Sequence, residues 1–129
     1  MTAQPTSSRT MSGIIKFDIV KFSVGINNMS AYKSTGKFIC EKAGLYLISV
    51  SIRSKTNDAQ YYVYHNDMNA AAISDTEIGY NSHGGSMALT GIIVHALQLH
   101  PNDSVWVYCP GTYCIEGQPW STLTIIKLK

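Results

Sequence analysis

Ser34-Thr35-Gly36-Lys37-Phe38-Ile39-Cys40-Glu41-Lys42-Ala43-Gly44-Leu45-Tyr46-Leu47-Ile48 is the stretch on which the fold turns. It reads as an extended segment, a glycine break and then a long alternating strand. Gly36 and Gly44 stand at the two breaks, where a reversing chain uses positive φ without steric cost. Phe38 and Cys40 point one way. After the second break Tyr46, Ile48, Val50 and Ile52 share a face, the period-2 pattern of a strand buried on one side.

Outward from that stretch the same alternation recurs between turn residues. Ile14 to Val24 reads as one or two strands, with Ile15, Phe17, Ile19 and Lys21 on one face, and Gly25 to Ser30 as a loop. Ala59 to His65 is a strand dense in tyrosine (Tyr61, Tyr62, Tyr64). Asn66-Asp67-Met68-Asn69 is a tight turn that sends Ala70 to Ser74 back antiparallel. Asp75 to Gly85 is a polar loop, Ser86 to Leu99 the longest strand candidate, and His100 to Asp103 a turn into Ser104 to Cys109. Trp120 to Leu128 closes the chain. No segment carries a sustained helical stripe. Eight or more antiparallel strands in 129 residues predict an all-β sandwich of two sheets, for which a jelly roll is the natural arrangement.

Composition agrees with that class. Only 14% of residues are charged, and the surface must therefore be rich in hydroxyl and amide groups rather than ions. A net charge of +2 gives no electrostatic footprint for nucleic acid or an anionic membrane. The charge is uneven: residues 1–55 carry eight Lys/Arg against two Asp/Glu, and residues 56–129 carry two against six. In a folded domain the two halves interleave. No apolar run reaches the length of a membrane span. Met1 to Gly13 is polar and lacks the apolar core of a secretory signal. It reads as a disordered N-terminal tail over 1–13, ahead of a single globular domain over 14–129.

Cys40, Cys109 and Cys114 do not make a disulfide framework. Cys109 and Cys114 flank Pro110-Gly111-Thr112-Tyr113, read as a turn across which the two could face each other. A bridge there and two half-exposed thiols are both open. Cys40 reads as a small buried hydrophobe.

The opening stretch also resembles a known signature. Thr35-Gly36-x-Phe38-x-Cys40, then three residues, Gly44-x-Tyr46 and an apolar run are similar to the centre of the complement C1q globular domain. Upstream, Phe17 or Phe22, Asn27 or Asn28, and Tyr32 stand roughly where that family has Phe, Asn and Tyr. Downstream, Gly85-Ser86, the apolar run Ala88 to Val94, Asp103-Ser104-Val105-Trp106-Val107 and Ser121 to Ile126 follow in the family's order. Asn102 replaces a glycine, Leu123 a phenylalanine, Ile125 a glycine, and Ile48 stands where an aromatic is usual, as in a divergent member. The resemblance spans about residues 14–128. It implies a jelly roll of about ten strands of the C1q/tumour-necrosis-factor type, a stand-alone head of invertebrate kind, secreted and assembled as a homotrimer.

Such heads are binding modules, and many are lectin-like receptors of innate immunity for microbial sugars or lipopolysaccharide. Three weak sites on one trimer raise avidity for a repetitive surface. An aromatic face for a sugar ring beside amides or carboxylates for its hydroxyls occurs in two loops: Tyr80, Asn81 and His83 in one, and Tyr113, Glu116, Gln118 and Trp120 in the other. Asp67 and Asp75, either side of the strand Ala70–Ser74, resemble in placement the aspartates that hold calcium near the trimer apex in some members. The alternative is an Asx-turn at Asp67 and a solvated loop residue at Asp75. Tyr46, Tyr62 and Tyr64 read as core or subunit seam, as do Trp106 and Tyr108.

No nucleophile elbow, phosphate loop or zinc-protease motif is present, which argues against an enzyme. The expectation is a trimeric glycan-recognition head. Its alternative is a C1q/tumour-necrosis-factor-like signalling ligand for a protein receptor, and a third reading is a structural or storage trimer.

Overall fold

The computed structural model describes residues 1–56, 59–75 and 89–129, and in them ten strands and one helix follow one another. They are β1 (Thr2–Gln4), β2 (Arg9–Ile15), β3 (Ile19–Phe22), α1 (Met29–Thr35), β4 (Phe38–Ile39), β5 (Gly44–Ser54), β6 (Ala59–His65), β7 (Met68–Asp75), β8 (Leu89–Leu99), β9 (Ser104–Ile115) and β10 (Thr122–Lys127). One layer has the order β3-β1-β10-β5-β8. In the other, β2 and β4 lie end to end on one edge of β9, and β6 then β7 lie on the other edge. The pairings are antiparallel, and the layers meet where Ser54 pairs with Ile115. This is the jelly-roll sandwich that the alternation predicts.

The period-2 rows fill the space between the layers. Tyr46, Ile48, Val50 and Ile52 of β5 face Ile15, Tyr61, Val63, Val105 and Val107 of the second layer, and all are buried. Each aliphatic side chain removed from water this way stabilises the fold by about 1.5–3 kcal/mol. Outward-facing residues of β5 are Leu45, Leu47, Ser49, Ser51 and Arg53, none of them fully buried.

Residues 1–13 are not a disordered tail. β1 pairs with both β10 and β3, Ala3 is buried, and the Met1 amine donates to the Ile125 carbonyl at 2.8 Å. The segment's polarity reflects a strand that turns Thr2 and Gln4 outward, where they meet Thr124 and Thr122, and only Ala3 inward.

A second correction concerns Pro110 to Tyr113. The chain does not reverse there: β9 runs through to Ile115. Met11 pairs with Tyr113 and Gly13 with Cys109, so three residues of β9 stand opposite one of β2. Such a bulge bends a strand without ending it. The Cys109 thiol closes the bulge from within, donating to the Gly111 carbonyl at 3.1 Å, and it is a free thiol. Burial pushes this thiol up to about 11.

The helix was not expected, because seven residues are too few to show a stripe. Tyr32 anchors it, buried and donating from its hydroxyl to the Phe17 carbonyl at 2.8 Å. Gly36 ends it with φ of 76°, its N–H bonded to the Tyr32 carbonyl at 2.7 Å. Gly44 serves a different need: it has no positive φ, and a Cβ there would strike the Lys129 carbonyl.

Two expectations follow. Gly36→Ala places a methyl group 2.8 Å from Ile14 in a left-handed conformation, and urea unfolding should show a loss of about 1–2 kcal/mol; an unchanged midpoint contradicts the cap. The melting temperature should be the same with and without excess dithiothreitol, and a drop on reduction would mean that a disulfide exists after all.

Candidate functional site

Both ends of the sandwich carry polar clusters, and in one of them a half-exposed indole lies against a fixed cation. At the end where β5 finishes, Arg53 leaves the outward row of β5 and turns over the segment between β9 and β10. Its backbone is held on both sides: Glu116 N–H donates to the Arg53 carbonyl at 2.9 Å, and Arg53 N–H donates to the Ser121 hydroxyl at 3.1 Å. That hydroxyl donates in turn to the Glu116 carbonyl at 2.6 Å. A Cβ on Gly117 would strike the backbone of Ser7, so glycine lets the first residues of the chain lie against this corner. The Gly117 N–H donates to the Ser8 hydroxyl and the Gln118 N–H to the Pro5 carbonyl.

On this frame Arg53 Nε meets Glu116 Oε2 at 2.8 Å, and Lys55 Nζ meets Oε1 at 3.3 Å. Glu116 is only 8% exposed, and a carboxylate that far from water needs its cations. The guanidinium, fixed by Glu116, lies 4.3 Å from the centre of the Trp120 ring. Trp120 remains 52% exposed, so its indole is fixed yet open to solvent, and Gln118 is exposed beside it in sequence. This corner can present an apolar ring surface next to paired charges, and among the described residues it brings no nucleophile and base together.

Of the residues singled out from the sequence, Glu116, Gln118 and Trp120 belong to this corner. Tyr113 does not; its ring packs edge-on against buried Tyr61 at 5.7 Å. Tyr80, Asn81 and His83 lie outside the described residues. The strand ends that flank them, Asp75 opposite Ala59 and Leu89 opposite Ser54, are at the same end of the sandwich as Arg53. Arg53 itself was missed. Its signal was a charged residue closing an otherwise uncharged outward row.

Asp67 and Asp75 are not brought together. Asp67 is exposed in the turn before β7, and Asp75 is the last residue of β7. Eight steps of extended chain place them roughly 25 Å apart, which one calcium ion cannot bridge within a single chain. Among the described residues no group of three or more His, Cys, Asp or Glu side chains is placed to hold a metal.

The opposite end is organised around Asp103. His100 N–H donates to its carboxylate at 2.9 Å, His65 Nε2 lies at 3.0 Å and Asn66 Nδ2 donates at 3.2 Å. Asn66 also accepts from Ser104 N–H at 2.9 Å, tying the β6–β7 turn to the start of β9. The His100 backbone amide, with the His65 and Asn66 side chains, holds the Asp103 carboxyl well below the usual carboxylate range.

The four remaining aromatics lie on the outer face of the second layer. Tyr64 stacks on Trp106 at 5.5 Å with an interplanar angle of 5°, Tyr62 and Tyr108 meet Tyr64 edge-on, and Lys37 Nζ lies 4.3 Å from the Trp106 ring. They belong neither to the inter-layer core nor to the outward face of β5. Tyr46 alone of this group is in the core.

Comparison with known proteins gives one consistent answer. The C1q domain family model matches residues 1–124. Among solved structures, the globular domain of zebrafish complement 1qA superposes with a TM-score of 0.66 at 13% identity, covering 99% of this chain and 95% of that one. The Eiger TNF from S. frugiperda superposes at 0.65 with 12% identity, covering 100% and 92%. At such identities these two likenesses speak for the fold alone.

The Asp103 cluster predicts a pH dependence. A carboxyl whose pKa is depressed by folding stabilises the native state above its unfolded value of about 3.9 and loses that contribution as the pH falls below it. Asp103→Asn should therefore melt lower than wild type at pH 7, and the gap should narrow steadily below about pH 4. A gap that is the same at pH 7 and pH 3 contradicts the assignment.

Proposed function

The chain belongs to the C1q domain family, and on that premise we propose that it is a non-catalytic, extracellular recognition head whose homotrimer binds microbial or cell-surface glycans. The observation that carries this is the Trp120 corner. An indole half open to solvent, fixed by Arg53 and flanked by Gln118, offers the stacking surface that a pyranose C–H face requires, with hydrogen-bonding groups beside it. Fixing the ring in advance lowers the entropy lost on binding.

Self-association is supported by the outward face of the first layer. Ile92 and Val94 of β8 are 66% and 63% exposed, next to Leu45 and Leu47 of β5 and Ile126 of β10. Among the described residues of β1, β5, β8 and β10 on that face, Arg53 alone is charged, and it sits at the edge. A flat uncharged sheet face suits a protein partner better than water. One shallow sugar site is weak, and three on a trimer act together on a repetitive surface. No helix among the described residues is long and apolar enough to cross a membrane.

A receptor-binding ligand is the second reading. It is favoured by the Tyr62-Tyr64-Trp106-Tyr108 cluster on the outer face, since aromatic side chains anchor protein interfaces.

A glycan array probed with the wild type and with Trp120→Ala separates the two. Binding to a subset of sugars or lipopolysaccharides, reduced about tenfold or more by Trp120→Ala, is the expected result. No reproducible sugar binding, or binding that Trp120→Ala leaves intact, would overturn the glycan reading at this corner.

A further inference from the structure

Away from the Trp120 corner, near the end of the sandwich where β5 begins, the surface opens into a cavity of about 440 Å³. It falls within the range of small-molecule sites, about 300–1,000 Å³. Buried Phe38 and Tyr46 contribute to it, together with Ile125 and Ile126 of β10. Another part of its lining is Phe22 and the segment Val24 to Ile26 that follows β3. Phe22 and Val24 are 62% and 74% exposed, far more than large apolar side chains with a choice of burial.

The polar groups divide by role. Glu41 keeps its negative charge but turns both carboxylate oxygens to Asn27, accepting from its N–H and its Nδ2 at 3.1 Å each, and so ties the Val24–Ile26 segment to the chain after β4. Lys42 and Lys127 also line the cavity, both exposed, and neither is in an ion pair among the described residues. The result is an apolar trough with one wall latched in place and two ammonium groups beside it.

We propose that this trough binds a single-chain anionic amphiphile, with its alkyl chain against Phe22, Val24 and Phe38 and its carboxylate on Lys42 and Lys127. The charge pattern selects this occupant. A second copy of the chain would suit the flat uncharged face of β5 and β8, whereas a concave trough with two unpaired cations suits an apolar body with one negative end. The proposal is independent of the glycan reading, which uses other residues at the other end of the sandwich.

Isothermal titration of the whole chain with octanoate, decanoate and dodecanoate, each below its micelle concentration, tests it. Saturable binding of one molecule per chain is expected, tightening about tenfold for each two methylenes added, as burial of alkyl surface requires. Lys42→Glu/Lys127→Glu should weaken dodecanoate about tenfold or more, and Val24→Glu should abolish binding. Both variants change exposed residues, and an unaltered melting temperature confirms that they fold. Dodecyltrimethylammonium, with the same chain and the opposite charge, should not bind the wild type. Equal binding of the two head groups, affinity independent of chain length, or indifference to the lysine reversal would each overturn the proposal. So would absence of dodecanoate binding accompanied by self-association that Val24→Glu abolishes, because a second copy would then be the occupant.

Discussion

Strand β5 is hydrogen-bonded along both edges, to β10 through six residue pairs and to β8 through eleven. Its side chains alternate without interruption from Tyr46, Ile48, Val50 and Ile52 inward to Leu45, Leu47, Ser49, Ser51 and Arg53 outward. A shift of one residue on either edge would turn the buried row into water and Arg53 into the core, so the register is strongly determined. What the molecule offers to partners follows from that register. It exposes Ile92 and Val94 opposite Ser51 and Ser49, and it delivers Arg53 to the end of the strand, where Glu116 and Trp120 receive it.

The two ends of the sandwich are built differently, and the difference bears on function. At one end Asp103 draws in His65, His100 and Asn66, and its carboxylate is used up in holding two turns together. At the other end the buried carboxylate of Glu116 holds a guanidinium, which fixes an indole and still leaves it half exposed. The first cluster stabilises turns. The second displays a surface.

Much of the fold could be read from the sequence because it rests on period-2 rows, which local composition records directly. Tyr46 to Ile52 and Val105 to Cys109 are such rows, and the structure uses them as expected. The failures occurred where long-range pairing overrode composition. Thr2-Ala3-Gln4 is too short and polar to read as a strand until β10 and β3 stand on either side of it. Pro110-Gly111 has turn chemistry, yet pairing with β2 converts it into a bulge within one strand. The candidate site was half legible. Trp120, Gln118 and Glu116 stood out as a polar-aromatic loop, but their connection to Arg53 is 63 or more residues away in sequence and exists only because β5 and the β9–β10 connection share an end. Asp67 and Asp75, which flank Ala70–Ser74 in sequence, lie near opposite ends of β7 in space.

The proposed trimer makes the outward face of β5, β8 and β10 an interface between copies of this chain, so that three Trp120 corners act as one surface. Sedimentation equilibrium of the wild type beside Val94→Arg addresses it directly, because an arginine at the centre of an uncharged face must be buried unpaired if copies meet there. The expected result is a wild-type particle of three chain masses and a Val94→Arg particle of one chain mass with an unchanged fold by circular dichroism. A wild type that stays at one chain mass at all concentrations, or a Val94→Arg variant that remains trimeric, would contradict it.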